Sequence, residues 1–135
     1  TRWNDVTGVQ TCALPIWFGY TSSSGPNGPR TAIGCLVLAL AKKKETAQFQ
    51  SAFNFLKKAS KSSSYYHYFL YYGSQAFFHA SPEDWNAWNR ENIQELKQSQ
   101  NPDGSWDGQF GSTFSTATSL LSLALNYRFL PIYER

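Results

Sequence analysis

The side chains able to do chemistry are sparse in this sequence and stand apart from one another. Asp84, Asp103 and Asp107 are isolated along the chain. Asp103 and Asp107 flank Trp106 in a turn-forming stretch. A carboxylate pair so placed is a candidate for general acid–base work; the alternative is that both cap and solvate a loop. His67 and His79 are twelve residues apart, too far for the i, i+4 spacing that lets one helix present two imidazoles to one metal. Each reads as a hydrogen-bonded structural histidine. Cys35 sits in an apolar segment and reads as core. With Cys12 as the other thiol, neither a disulfide framework nor a zinc site is expected, and no metal or cofactor is assigned. No glycine-rich loop has the form that cradles a phosphate. The densest candidate is aromatic: Tyr65, Tyr66, Tyr68, Phe69, Tyr71, Tyr72, Phe77 and Phe78 share one short stretch. Aromatic faces attract cations, and aromatic stripes at helical spacing are also ordinary core. The most specific pattern is Gln100-x3-Gly104-x-Trp106, set between the end of one helical pattern and the start of another.

Composition bounds the elements that must carry these residues. A chain of 135 residues, 41% hydrophobic and 16% charged, has the apolar content for a core and is not disordered by composition. The net charge of +3 is mild. Lys42-Lys43-Lys44 and Lys57-Lys58 fall beside helix ends, where cations offset the dipole, and no basic stripe joins them, so nucleic acid is not an expected partner. The ten-residue apolar run over 32–41 is far short of the roughly 18 residues of a membrane span and reads as a buried helix. Methionine is absent. Val6-Thr7-Gly8-Val9-Gln10-Thr11-Cys12-Ala13-Leu14-Pro15-Ile16 shows neither helical nor strand period and resembles one reading frame through a common short-read sequencing adapter. Residues 1–16 are therefore expected to be translated adapter rather than native protein, the alternative being an ordinary N-terminal loop. Residues 17–135 are expected to be the C-terminal part of a longer chain.

Five helices follow from the periodicity. Residues 17–20 form an aromatic anchor and 21–29 a turn-rich loop. Thr31 can cap a first helix over 32–41, apolar nearly all round and so buried on more than one side. A second, over 45–59, presents Phe49, Ala52, Phe53 and Leu56 on one face, with Gln48, Asn54 and Lys57 elsewhere. Residues 61–64 break the pattern and cap the aromatic helix over 65–80. Ser81-Pro82-Glu83-Asp84 is a strong helix start, opening a fourth helix whose face is Trp85, Trp88, Ile93 and Leu96. The fifth runs over 115–129 and stops at Pro131.

The helices alternate in character, and the sequence repeats. Thr31-Ala32-Ile33-Gly34-Cys35-Leu36-Val37-Leu38-Ala39-Leu40 aligns with Thr116-Ala117-Thr118-Ser119-Leu120-Leu121-Ser122-Leu123-Ala124-Leu125, with six of ten pairs identical at an offset of 85 residues. A weaker match at an offset of 40 pairs Phe53, Leu56 and Lys57 with Ile93, Leu96 and Lys97. The unit is a helical hairpin, which buries its core only when stacked.

Gln100-x3-Gly104-x-Trp106, with Leu96 before it, resembles the QW repeat of squalene–hopene cyclases and related terpenoid cyclases. Asp103-Gly104-Ser105-Trp106 leading to Ser115-Thr116-Ala117 is similar to the repeats of protein prenyltransferase β subunits. Tyr65-Tyr66-His67-Tyr68 and residues 127–133 resemble bacterial prenyltransferase and squalene oxidase repeat proteins. The resemblance covers about 18–133. It implies an all-α fold, a partial α/α toroid of about five helices, or two and a half hairpins of an (α/α)6-type ring, with apolar helices inside and amphipathic ones outside. It implies a structural role for Gln100, Gly104 and Trp106, the tryptophan stacking on the glutamine while the amide bonds a neighbouring helix end. It also implies that Tyr68, Tyr71, Tyr72 and Gln75 line a cavity for an isoprenoid or other apolar molecule, the rest of the toroid being the remaining partner. The family's catalytic signatures do not match: the Asp-x-Asp-Asp acid is missing, and Phe114-Ser115-Thr116-Ala117 lacks the cysteine of the zinc enzymes. A non-enzymatic repeat scaffold that binds a protein is the alternative. An (α/α) barrel acting on polysaccharide is a third reading, weakened by the scarcity of clustered carboxylates.

Overall fold

Asn27 opens the first helix. Its side-chain Oδ1 accepts from the Arg30 amide at 3.0 Å, and Pro29 sits in the first turn of α1 (Gly28–Leu40). A proline there loses no intrahelical bond. The helix thus begins before the expected cap: Thr31 lies inside it, fully buried. Gly28 is needed for close approach, since a Cβ there would stand 2.8 Å from the Phe69 ring. At the other end the Lys43 amide reaches the Leu38 carbonyl and the Lys42 amide reaches that of Ala39, with Lys42 at φ 57°. That is the left-handed helix stop, here carried by lysine where glycine is usual.

The computed structural model describes residues 27–59, 61 and 65–127. The expectations for residues 1–16, 17–20, 62–64 and Pro131 lie outside them. Thr46 caps α2 (Ala47–Lys58), whose buried residues are Phe49, Ala52, Phe53 and Leu56, as the periodicity predicts. α3 (Tyr66–Ala80) is the aromatic helix. Ser81 alone separates it from α4 (Pro82–Ser99): the Ser81 hydroxyl accepts from the Asp84 amide at 3.0 Å and donates to the Asp84 carboxylate at 2.9 Å. α5 (Ser112–Ala124) starts after Gly111, at φ 90°, and runs on into a 3-10 turn, Leu125–Tyr127. The described residues are helix and turn without strand; the fold is all-α. Among them, no helix is long and apolar enough to cross a membrane.

The helices pack in two layers. α3 lies between α1 and α5, while α2 packs on α1 and α4 on α3. The main core joins Ala32, Cys35 and Leu36 of α1 to Phe49, Phe53 and Leu56 of α2, and to Phe69, Phe77, Phe78, Trp85 and Trp88. Trp88 is its hub, stacked on Phe77 at 4.4 Å between centroids and edge-on to Phe69 at 5.6 Å, with its indole N–H donating to Ser74 Oγ at 2.9 Å. Burial holds the Cys35 thiol neutral, pushing it up to about 12.

Three expectations change. The buried line of α4 is Trp85, Trp88, Asn92 and Leu96, not Ile93, which is 42% exposed. Asn92 is admitted because its amide donates to Ser122 Oγ of α5 at 3.3 Å. α1 is not buried all round: Ile33, Val37 and Leu40 face outward. Of the basic clusters, Lys57 and Lys58 do end α2, but Lys44 caps a different helix from the one it follows. Its ammonium donates to the His79 carbonyl at 2.8 Å, at the C-terminal end of α3.

Candidate functional site

Tyr68, Tyr71, Tyr72 and Gln75 fall at i, i+3, i+4 and i+7 and so share a face of α3. The three tyrosines are half-buried; Gln75 is buried, and its amide donates to the Tyr71 carbonyl of its own helix at 3.2 Å. Tyr71 and Tyr72 meet edge-to-face at 4.9 Å. Tyr68 extends the aromatic face across to α5: it lies 5.3 Å from Phe110, at right angles, and 5.0 Å from Phe114. Tyr65 adds a fourth ring, 5.9 Å from Phe110. Tyr65 and Phe110 are 50% and 45% exposed, so this is an open aromatic surface. Sequence reasoning missed Phe110 and Phe114. Their i, i+4 spacing was a signal, but what they face is decided by the turn that precedes them.

That turn is the Gln-Gly-Trp motif, and it is built as a knot of short bonds. The Asn101 amide donates to the Ser105 carbonyl and the Gly104 amide to that of Asn101, both at 2.9 Å, with Gly104 at φ 87°. The Asp103 carboxylate accepts from the Ser105 hydroxyl at 2.7 Å and its amide at 2.9 Å, which holds its pKa below the ordinary value. Asp107 accepts from the Asn101 side chain at 3.1 Å. The two aspartates therefore fasten one loop.

Trp106 leaves the loop and enters a second core with Leu70 and Leu96. Its indole N–H donates to the Leu96 carbonyl at 2.9 Å, near the α4 end where carbonyls lack intrahelical partners. Its backbone amide donates to Thr116 Oγ1 at 3.0 Å, tying the turn to α5. The work divides differently from the expected stack. Gln100 is exposed, its amide donating to the Gly104 carbonyl at 2.9 Å inside the turn, and the tryptophan itself reaches the helix end.

His67 lies where the loop crosses α3. A Cβ on Gly108 would stand 2.6 Å from Cε1 and Nδ1 of His67 and closer still to the Ser115 hydroxyl. Gly108→Ala is therefore expected to destabilise by about 1–3 kcal/mol through overpacking, read as a lowered urea midpoint; an unchanged midpoint would mean that the loop lifts without strain. Burial lowers the His67 pKa from 6.5, and burial, then Glu95 beside its hydroxyl at 3.4 Å, raises that of Tyr66 from 10.0 to about 12. Both shifts favour the neutral form in the folded state. The His67 contribution is complete above its unfolded value and is lost as pH falls below about 6.5; the Tyr66 contribution is complete below 10 and is lost as pH rises from 10 towards 12. Urea midpoints across pH should fall in both windows, and Tyr66→Phe should flatten the alkaline one.

A cavity of about 260 Å³ lies elsewhere, between α2 and α4, over Leu56, Phe77 and Trp88. Its rim is occupied by pairs: Lys57 with Asp84 at 2.9 Å, and Lys61 with Glu91 at 3.5 Å, the Lys61 ammonium 4.5 Å above the Trp88 ring. Such partly exposed pairs contribute little to stability. No group of three or more His, Cys, Asp or Glu side chains is placed to hold a metal among the described residues. Comparison of the chain with protein-family models, with curated proteins and with solved structures finds no match.

Proposed function

We propose that this chain is an arc of an α/α ring of the terpenoid cyclase and prenyltransferase kind, and that its aromatic face binds an isoprenoid or similar apolar chain. The observation that carries the reading is the continuous set of half-open rings, Tyr65, Tyr68, Phe110 and Phe114, beside the Tyr71–Tyr72 pair. Rings of this kind supply large apolar area and an attractive field for positive charge. The layering supports the ring: α3 neighbours both α1 and α5, with α2 packed on α1 and α4 on α3. In a closed ring of this order further hairpins flank α1 and α5. Asp103 and Asp107 serve the loop, so the reading is one of binding and assigns neither of them a reaction.

The test is a fluorescence titration of the protein with farnesol and with a farnesyl chain ending in a protonated tertiary amine. Saturable binding is expected, tighter for the amine, and Tyr68→Ala/Tyr72→Ala should weaken both by about tenfold, or 1.4 kcal/mol. Unsaturable partitioning, or binding indifferent to the two substitutions, would overturn the reading.

A further inference from the structure

α1 and α5 carry a repeated sequence in opposite surroundings. With Thr31 set on Thr116, Ala32, Cys35, Leu36 and Ala39 of α1 are buried, at 0–8% exposure. Their counterparts Ala117, Leu120, Leu121 and Ala124 are open or half-open, Leu120 at 53% and Leu121 at 39%. The reverse holds on the other stripe. Thr118, Ser122 and Leu125 are buried, while their counterparts Ile33, Val37 and Leu40 are exposed at 38%, 58% and 43%. Each helix exposes the stripe that its repeat buries.

The reason lies in the order of the layer. The core of α1 is on the side of α2 and α3, which come after it; α5 packs on α3 and receives a hydrogen bond from Asn92 of α4, which come before it. α3, with a neighbour on each side, is buried throughout from Gly73 to His79. The exposed stripes are also too apolar for water. Ile33 and Val37 stand in solvent where the repeat has Thr118 and Ser122 in the interior. What fits against Leu120 and Leu121 is what already fits against Cys35 and Leu36 on the α3 side, an apolar helix of the same layer. The chain carries such a helix with its opposite stripe uncovered.

We propose that a second copy of this chain occupies these faces, head to tail, with α5 of one copy against α1 of the next in the relation that α1 has to α3 within a copy. The two surfaces differ, so the contact is heterologous and each copy has one of each kind. The hairpins that flank α1 and α5 in the ring are on this proposal those of a second copy, and the proposal is indifferent to what the tyrosine face binds.

Sedimentation equilibrium of the 135-residue chain tests it. The protein is expected to exceed its monomer mass of 15.3 kDa at tens of micromolar. Val37→Glu and Leu120→Glu, both at exposed positions where the charge stays hydrated, should each weaken self-association by about thirtyfold or more. Mixed in equal amounts, the two variants should form a dimer and nothing larger, because one retains the α5 stripe and the other the α1 stripe. Ile33→Lys and Leu121→Lys form a second pair, and circular dichroism reports that all four remain helical. A wild-type monomer at every concentration, a single variant that associates as wild type does, or a mixture that stays monomeric would each overturn the proposal.

Discussion

Trp106→Ala is expected to destabilise the protein by about 4 kcal/mol, within the range for emptying a buried tryptophan site. The side chain is 4% exposed and fills the space between Leu70 of α3 and Leu96 of α4. Two losses combine. The ring leaves a void that three separately anchored elements cannot readily close, and the Leu96 carbonyl loses its 2.9 Å donor near the end of α4. Trp106→Phe separates them: it keeps most of the volume and deletes the N–H, and should cost about 1–2 kcal/mol. Urea unfolding of the three proteins gives both differences. Against a domain stability of about 5–15 kcal/mol, that loss removes between about a quarter and four fifths of the total. A loss under about 1 kcal/mol would mean that the turn is held by its own loop bonds and the Trp106–Thr116 link alone.

Trp88→Ala should be about as severe, near 4 kcal/mol, for a different reason. Trp88 joins α4 to the main core by stacking on Phe77 and meeting Phe69 edge-on, so its removal strips two aromatic partners at once. The Ser74 hydroxyl, fully buried, then loses its indole donor at 2.9 Å. Ser74→Ala in the wild-type background deletes that bond without a cavity and should cost about 1 kcal/mol. In the double variant the two losses should fall short of their sum, since the hydroxyl no longer has a partner to lose. The Lys61 ammonium above the same ring predicts a secondary effect: Lys61→Met should change the unfolding free energy by less than about 1 kcal/mol. Strict additivity of Trp88→Ala and Ser74→Ala would remove the hydrogen bond from the account.

The parts legible in the sequence are those set by neighbours along the chain. Ser81-Pro82-Glu83-Asp84 announces α4 because cap, proline and acids act within one turn. The α2 face was legible because its apolar spacing is unbroken. Most of the misses have long-range causes. Asn92 displaced Ile93 because its partner, Ser122, is thirty residues away. The start of α1 was misplaced because Asn27 and Thr31 are both competent caps, and the close approach of Gly28 to Phe69 is invisible in one dimension. At the motif, the residue types pointed to a fastening turn; which side chain reaches the helix end depends on Leu96, ten residues back. The tyrosine face was readable as a stripe on one helix, whereas its extension to Phe110 and Phe114 requires the turn to fold first.

The placement of α1 bears on how the chain acquires its shape during synthesis. α1 packs more extensively on α3 than on α2, the helix that follows it. An apolar helix therefore leaves the ribosome before its principal partner exists. With some forty residues still to be made, at about 5–20 residues per second, the wait is roughly 2–8 s. That greatly exceeds the microsecond needed to form the helix itself. Throughout this interval Ala32, Cys35, Leu36 and Ala39 lack α3, and α2 can cover them only once Lys58 has been made. The first hairpin is thus the stretch of the nascent chain where a holding chaperone is expected to bind, and slowing translation beyond Lys58 should lengthen that occupancy in proportion.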